Sequence, residues 1–174
     1  MATGAMVNIT VMEGIIMETN QALEQRDQLI IEARNAAGNY FKEGNNCAEA
    51  IFKAFQPRLA PDMDPDLVRL VTGFGGGVGE AGCMCGALTG SIVAINMVKG
   101  RSSKEESRQE AYDYAKEFHD RFQEKFGVTC CRALNPHPFE TREHLTNCLK
   151  ITGNTGKLLM EFLLEKGLYQ PETK

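Results

Sequence analysis

The chain has 174 residues, 43% of them hydrophobic and 24% charged, with 19 Lys and Arg against 23 Asp and Glu for a net charge of −4. That length suits one globular domain able to bury a core without disulfide staples, and the acidic balance argues against a nucleic-acid partner, whose usual mark is a basic patch. The longest apolar run, CGALTGSIVAINMV, is too short to span a bilayer.

No leader is visible, because MATGAMVNITVMEGIIMETN lacks a basic opening region and the first Arg is Arg26. Residues 1–19 are set apart as an N-terminal segment, with no weight on MATGAM. Residues 20–168 read as a single helical domain, and 169–174 as a tail. The protein is expected in solution, in the cytoplasm. In that reducing compartment six cysteines point to catalysis, metal or plain core rather than a disulfide framework.

Helical periodicity runs along the chain and no alternating strand pattern persists, so the expected fold is an all-α single-domain bundle. The first helix covers about 20–43, with Leu23, Ile30, Ala33, Ala37 and Phe41 on its stripe and Gly44 as a left-handed stop. Asn46 would cap a second helix carrying CAEAIFKAF. In PDMDPDLVRLV, Asp64 would cap and Pro65 stand at N1, with Leu67, Leu70, Val71 and Phe74 buried. The stretch from Gly73 to Gly90, GFGGGVGEAGCMCGALTG, then packs in eight glycines and two cysteines.

The helix that leaves this stretch, about 86–98, is apolar nearly all round and belongs at the centre of the core. Gly86, Gly90 and Ala94 form a small-residue ridge along it, open to a close neighbour. Ser102 with Glu105, and Ser103 with Glu106, read as overlapping capping boxes. They would start a helix whose inner face is Ala111, Tyr114, Ala115, Phe118, Phe122 and Phe126, with Gly127 as its end. A short helical turn at Cys131, a Pro-broken loop and a helix near 141–151 follow. A last helix near 155–166 buries Leu158, Leu159, Phe162 and Leu163, with Gly167 as its cap.

Gly77, Gly79 and Gly82 match G-x-G-x-x-G by letter, but a dinucleotide site needs a strand before the glycines, and here a capped helix precedes them. No G-K-[ST] follows, so the P-loop reading fails as well. The cysteine spacings contain no C-x-x-C, which excludes a thioredoxin-type site and argues against a zinc ribbon, and no C-x-x-C-H, which excludes c-type haem. Cys47 and Cys85 both fall at helix N-termini, where free N–H groups and the dipole favour a thiolate. His144 precedes Cys148 by four residues on one helix face, a spacing that permits a shared metal; the competing reading is a surface or capping histidine. His119 and His137 have no evident partner. Any one cysteine taken alone reads as well as plain core.

CGALTG, Cys85 to Gly90, fits a C-G-A-x-x-G hexapeptide, with Cys47 before it and Cys131 and Cys148 after it. Together with EGNNCAEAI, FGGGVG and CRAL, it resembles the family described as redox-active and named for its C…CGAxxG…C…C pattern, over about 40–152. The resemblance implies a helical protein in which Cys47, Cys85, Cys131 and Cys148 act together, with Cys83 and Cys130 as extras. Split-Soret cytochromes share a similar region beside haem-binding segments that this chain lacks, so no haem is implied.

The leading expectation is thiol–disulfide or electron-transfer chemistry through those four residues, with a redox partner protein or a small oxidised molecule as substrate. Cys85 is expected to be the most reactive thiol and the nucleophile, with a second cysteine resolving the mixed disulfide. One alternative is a non-catalytic protein whose four thiolates hold an iron–sulfur cluster or zinc. Another is a structural bundle with inert thiols. The oligomeric state stays open, a homo-oligomer included.

Overall fold

Asn46 starts the helix that carries the first cysteine. Its side chain accepts from the Ala48 and Glu49 N–H groups, and the Glu49 carboxylate accepts from the Asn46 N–H in return, closing a capping box. The computed structural model describes residues 3–170. In chain order these form α1 (Thr3–Lys42), α2 (Cys47–Leu59), 3-10 turns at Pro65–Leu70 and Thr72–Phe74, α3 (Gly75–Val78), α4 (Gly86–Lys99), α5 (Gln109–Phe126), α6 (Cys131–Leu134) and α7 (Arg142–Glu165). The described residues contain no strand, only an isolated antiparallel bridge between Met84 and Cys130. The fold is the all-α bundle expected.

The core gathers around α4. Leu88, Ala94 and Ile95 are fully buried there, beside Phe55 of α2, Phe118 and Phe122 of α5, and Leu159, Phe162 and Leu163 of α7. Ile92 packs against the same cluster. Phe162 meets the edges of Phe118 and Tyr114 at centroid distances of 5.4 and 6.2 Å, the preferred aromatic geometry. On another side of α4, Val93 and Met97 pack on Ala48, Phe52 and Val71. The small-residue ridge does what its spacing suggests: a Cβ on Gly90 would lie 2.9 Å from the Ala48 carbonyl oxygen, so α2 lies directly on it.

Several elements differ from the sequence reading, each for a local reason. α1 is already helical at Thr3, so the segment set apart at 1–19 is continuous with the first helix from that residue. Residues 1–2 of the N-terminal segment and 171–174 of the tail lie outside the described residues. Leu23 is 53% exposed, because the buried part of α1 begins only near Leu29. Leu70 is 69% exposed, because Pro65–Leu70 winds with three residues per turn and a 3.6-residue stripe slips out of register. The boxes at 102–106 do not close as spaced. Ser102 bonds to Glu106 and Ser103 to Glu105, and α5 starts only at Gln109, whose N–H donates to Ser107 Oγ.

The two helices expected at 141–151 and 155–166 are one, α7. Gly153 and Gly156 are not breaks in it. A Cβ on Gly156 would lie 2.8 Å from Ala37 Cβ and 3.0 Å from the Ala33 carbonyl oxygen, so this glycine is where α1 and α7 touch.

Candidate functional site: a four-cysteine pocket

After Phe74 the backbone turns left-handed. Gly76, Gly77, Val78, Gly79 and Glu80 all have φ between +57° and +69°. L-residues adopt that conformation singly and at a cost of about 1–2 kcal/mol each, so five in succession require the glycines. The turn is tied by Gly82 N–H to the Gly76 carbonyl (3.1 Å) and Cys83 N–H to the Gly77 carbonyl (3.0 Å). It delivers two things. The Gly76 N–H points at the Cys47 sulfur. Gly77 lies against Cys131, to whose Cβ an added methyl would come within 2.6 Å.

The residues after the turn then pair with the segment before α6. Cys85 N–H donates to the Thr129 carbonyl (2.9 Å), Cys131 N–H to Cys83 (2.5 Å), and Arg132 N–H to Gly82 (3.1 Å). This short antiparallel clasp sets the N-termini of α4 and α6, with Cys85 and Cys131, side by side. Gly86 completes the fit: a Cβ there would fall 2.5 Å from Cys47 Sγ. The hexapeptide glycines therefore have separate reasons, Gly86 making room for a sulfur and Gly90 for the α2 backbone.

Cys47, Cys85, Cys131 and Cys148 line one cavity of about 290 Å³. None of the six cysteines is disulfide-bonded. Burial dominates the electrostatics. It raises Cys47 from an ordinary thiol value of 9.0 to about 12, with the Cys148 charge adding to the effect. It raises Cys131 to about 11, again with Cys148 as the next cause. Cys85 is pushed up further still, by burial first and Cys47 second. The helix N-termini do act on the thiols as expected, through Ala48 N–H on Cys47 and Ala87 and Leu88 N–H on Cys85, but burial outweighs them. Cys85 is only 5% exposed. The expectation that the preceding glycines leave the Cys85 sulfur unshielded is corrected on that ground.

Cys148, half-buried on α7, has different surroundings. His144 Nε2 stands 3.4 Å from its sulfur, and Asn135 Nδ2 donates to that sulfur at 3.2 Å. His144 Nδ1 lies 3.0 Å from the His137 carbonyl, which can only accept. The Nδ1 proton is therefore fixed, and in the neutral ring Nε2 is an acceptor facing the thiol. Burial raises the Cys148 thiol, and the Asn135 amide works against that. His144 is buried, at 5% exposure, so the surface-histidine reading does not hold. His119 pairs with Asp120 on the outer face of α5, and His137 contributes its carbonyl.

Cys83 and Cys130 are exposed, on the clasp rather than in the cavity; Cys130 Sγ donates to the Gly82 carbonyl at 3.0 Å. Several polar residues of the pocket escaped sequence reasoning. Asn135, Glu80 and Glu140 carry no spacing signal, and only the tertiary fold brings them to the cavity.

A cluster or zinc can be tested against this donor set. Four sulfurs suit soft metals in type, but as the side chains stand no three Cys, His, Asp or Glu among the described residues are grouped to hold one ion. Among the described residues no helix is long and apolar enough to cross a membrane.

Fold and site together define a helical protein with four cysteines around one cavity. The chain belongs to the family described as "Putative redox-active protein (C_GCAxxG_C_C)", whose profile matches residues 45–162 and so spans all four. That printed pattern sets Gly ahead of Cys in the hexapeptide, whereas here Cys85 precedes Gly86. The chain is similar to an "Uncharacterized protein" of Archaeoglobus fulgidus, 28% identical over 144 residues, which are 78% of this chain and 95% of that one. A stretch of 57 residues is 40% identical to a "Glucose and ribitol dehydrogenase homolog" of Oryza sativa subsp. japonica, over 33% of this chain and 18% of that one. No solved structure matches the chain significantly.

Proposed function

We propose that the pocket carries out thiol–disulfide exchange, with Cys148 as the attacking thiol in place of Cys85. The observation that carries this reading is the chain of contacts from the His137 carbonyl through His144 to Cys148. A nucleophile, a base within reach of it and a group that orients the base are the recurring parts of an activated thiol. The Asn135 amide donates to the same sulfur and stabilises the charge that forms there.

In the first half-reaction His144 Nε2 takes the Cys148 proton, and the thiolate attacks one sulfur of a disulfide, RSSR. A Cys148–S–S–R bond forms and RSH leaves with that proton. A second pocket thiol then attacks the Cys148 sulfur and expels the other RSH, leaving a protein disulfide. The substrate gains two electrons and the two cysteines lose them. Cys131 and Cys47 are the candidates for the second thiol, since both feel the Cys148 charge. Cys85 and Cys47 feel each other in the same way and form a further pair for internal exchange.

Bis(2-hydroxyethyl) disulfide and intact-mass analysis test the proposal. Cys148→Ser should abolish oxidation of the pocket. Cys131→Ser or Cys47→Ser should accumulate a mixed disulfide mapped to Cys148. His144→Gln should slow the reaction by about a hundredfold, the low end of general-base effects. Undiminished oxidation of Cys148→Ser overturns the assignment. Stoichiometric iron or zinc in anaerobically purified protein would give the four sulfurs a ligand role instead.

A further inference from the structure

The pocket carries two polar atoms that the thiol chemistry does not use. Asn135 and Thr152 line the cavity, and their Oδ1 and Oγ1 atoms are buried with no hydrogen-bond partner among the described residues. The Asn135 amide cannot be turned to relieve this, because its Nδ2 donates to two acceptors, the His144 carbonyl and Cys148 Sγ. Oδ1 is therefore a fixed acceptor beside the sulfur. Buried polar atoms of this kind have partners in a working site.

The mouth of the cavity has a charge of one sign. Glu80 and Glu140 line it, and among the described residues no Lys or Arg does. Neither carboxylate joins an ion pair among the described residues. Both residues have left-handed backbone, φ 65° and 63°, a conformation costly for a residue with a Cβ. Strain of this kind gathers at ligand sites. At about 290 Å³ the cavity lies at the small end of ligand pockets.

We infer that the pocket accepts small disulfides whose arms carry ammonium groups, and rejects those whose arms carry carboxylates. Glu80 and Glu140 take the cations, and Asn135 Oδ1 accepts a hydrogen bond from the arm next to the sulfur that Cys148 attacks. This rests on the thiol–disulfide reading above. The exchange is the same: one S–S bond is cleaved, two substrate thiols leave, and one protein disulfide forms.

The test uses the reduced full chain and three symmetric disulfides: cystamine, bis(2-hydroxyethyl) disulfide and dithiodiglycolate. Each rate is divided by that of an uncharged cysteine peptide with the same reagent, which removes intrinsic differences in reactivity. The normalised order should be cation, neutral, anion, spanning at least about tenfold, as close charge pairs near a protein surface require. Glu80→Asn with Glu140→Asn should collapse that order, and Asn tolerates left-handed backbone, so the variant should fold. Equal normalised rates with Cys148 still modified would end the charge selection and leave the thiol reading standing. An order that survives in the double variant would end it too, by tracing the selection to the net charge of the chain. Failure of every reagent to modify Cys148 would end the thiol reading itself.

Discussion

Two regions of this protein are rich in glycine and use it in opposite ways. Between α1 and α7, Gly153 and Gly156 sit inside a continuous helix, and what matters at Gly156 is the missing side chain, which lets Ala33 and Ala37 approach. Between Phe74 and Cys83 what matters is the backbone, which turns left-handed for five residues and then clasps the segment before α6. The first region is a contact between regular elements and adds stability. The second is irregular backbone, held in place by its own hydrogen bonds and by the clasp, and it builds the cavity. Glycine in a sequence thus marks two different needs, and a substitution that adds one methyl group tells them apart.

The largest effect is expected where both needs coincide. Gly77 has φ +69°, and an added Cβ would lie 2.6 Å from Cys131 Cβ and 2.7 Å from the Cys83 nitrogen. Strained backbone and overpacking together should cost Gly77→Ala about 3 kcal/mol or more in urea denaturation. A thiol count on any folded fraction should show Cys131 newly accessible. Stability within about 1 kcal/mol of the parent would show that the left-handed turn is not what holds the pocket.

Alkaline pH should separate the regions next. Cys47 and Cys131 are held neutral by burial, at about 12 and about 11 against an ordinary 9.0. Above pH 9 the unfolded chain gives up these protons first, so stability is complete below that pH and is lost as pH rises toward 11–12. The slope should be about 1.4 kcal/mol per thiol per pH unit. The α1–α7 contact at Ala33, Ala37 and Gly156 has no proton to lose. Hydrogen exchange at pH 10 should therefore show amides of 76–86 opening before those of 153–160. Cys47→Ala with Cys131→Ala should remove the share of those two thiols from the slope and leave that of Cys85, which burial raises as well; an unchanged slope would place the alkaline weakness elsewhere.

The same contrast explains what the sequence disclosed. Capped helices were legible, because Asn46 with Glu49 is a local pattern with a local cause. α4 was legible from its apolarity and its ridge. The unbroken α7 was not, since Gly153 and Gly156 look like breaks until α1 is laid against them. The left-handed turn was not either, because Val78 and Glu80 interrupt the glycines and give no sign that they share their backbone angles. In the site, the four cysteines were legible from the family pattern and the His144–Cys148 spacing from helical geometry. The burial that raises Cys85, and the arrival of Asn135, Glu80 and Glu140, depend on the clasp between 82–85 and 129–132, which joins residues nearly fifty positions apart.

The two smallest effects have opposite signs. Gly79 has φ +57° and, among the described residues, nothing within 4 Å of an added Cβ, so Gly79→Ala isolates the backbone cost alone, about 1–2 kcal/mol. Gly153 is its mirror. It sits in ordinary helical backbone, and its nearest neighbour, the Arg34 carbonyl oxygen, would be 3.4 Å from a new Cβ, an ordinary contact. Glycine inside a helix is worse than alanine by about 0.5–1 kcal/mol. Gly153→Ala should therefore stabilise the protein by about that amount in thermal or urea denaturation. Gly156→Ala, one turn on, should destabilise it, since the same methyl group would meet Ala37 Cβ at 2.8 Å. If both substitutions stabilise, α1 yields to the added bulk and the close contact is not what fixes the two helices. If both destabilise, Gly153 belongs to that contact as fully as Gly156, and α1 and α7 lie closer along this stretch than 3.4 Å allows.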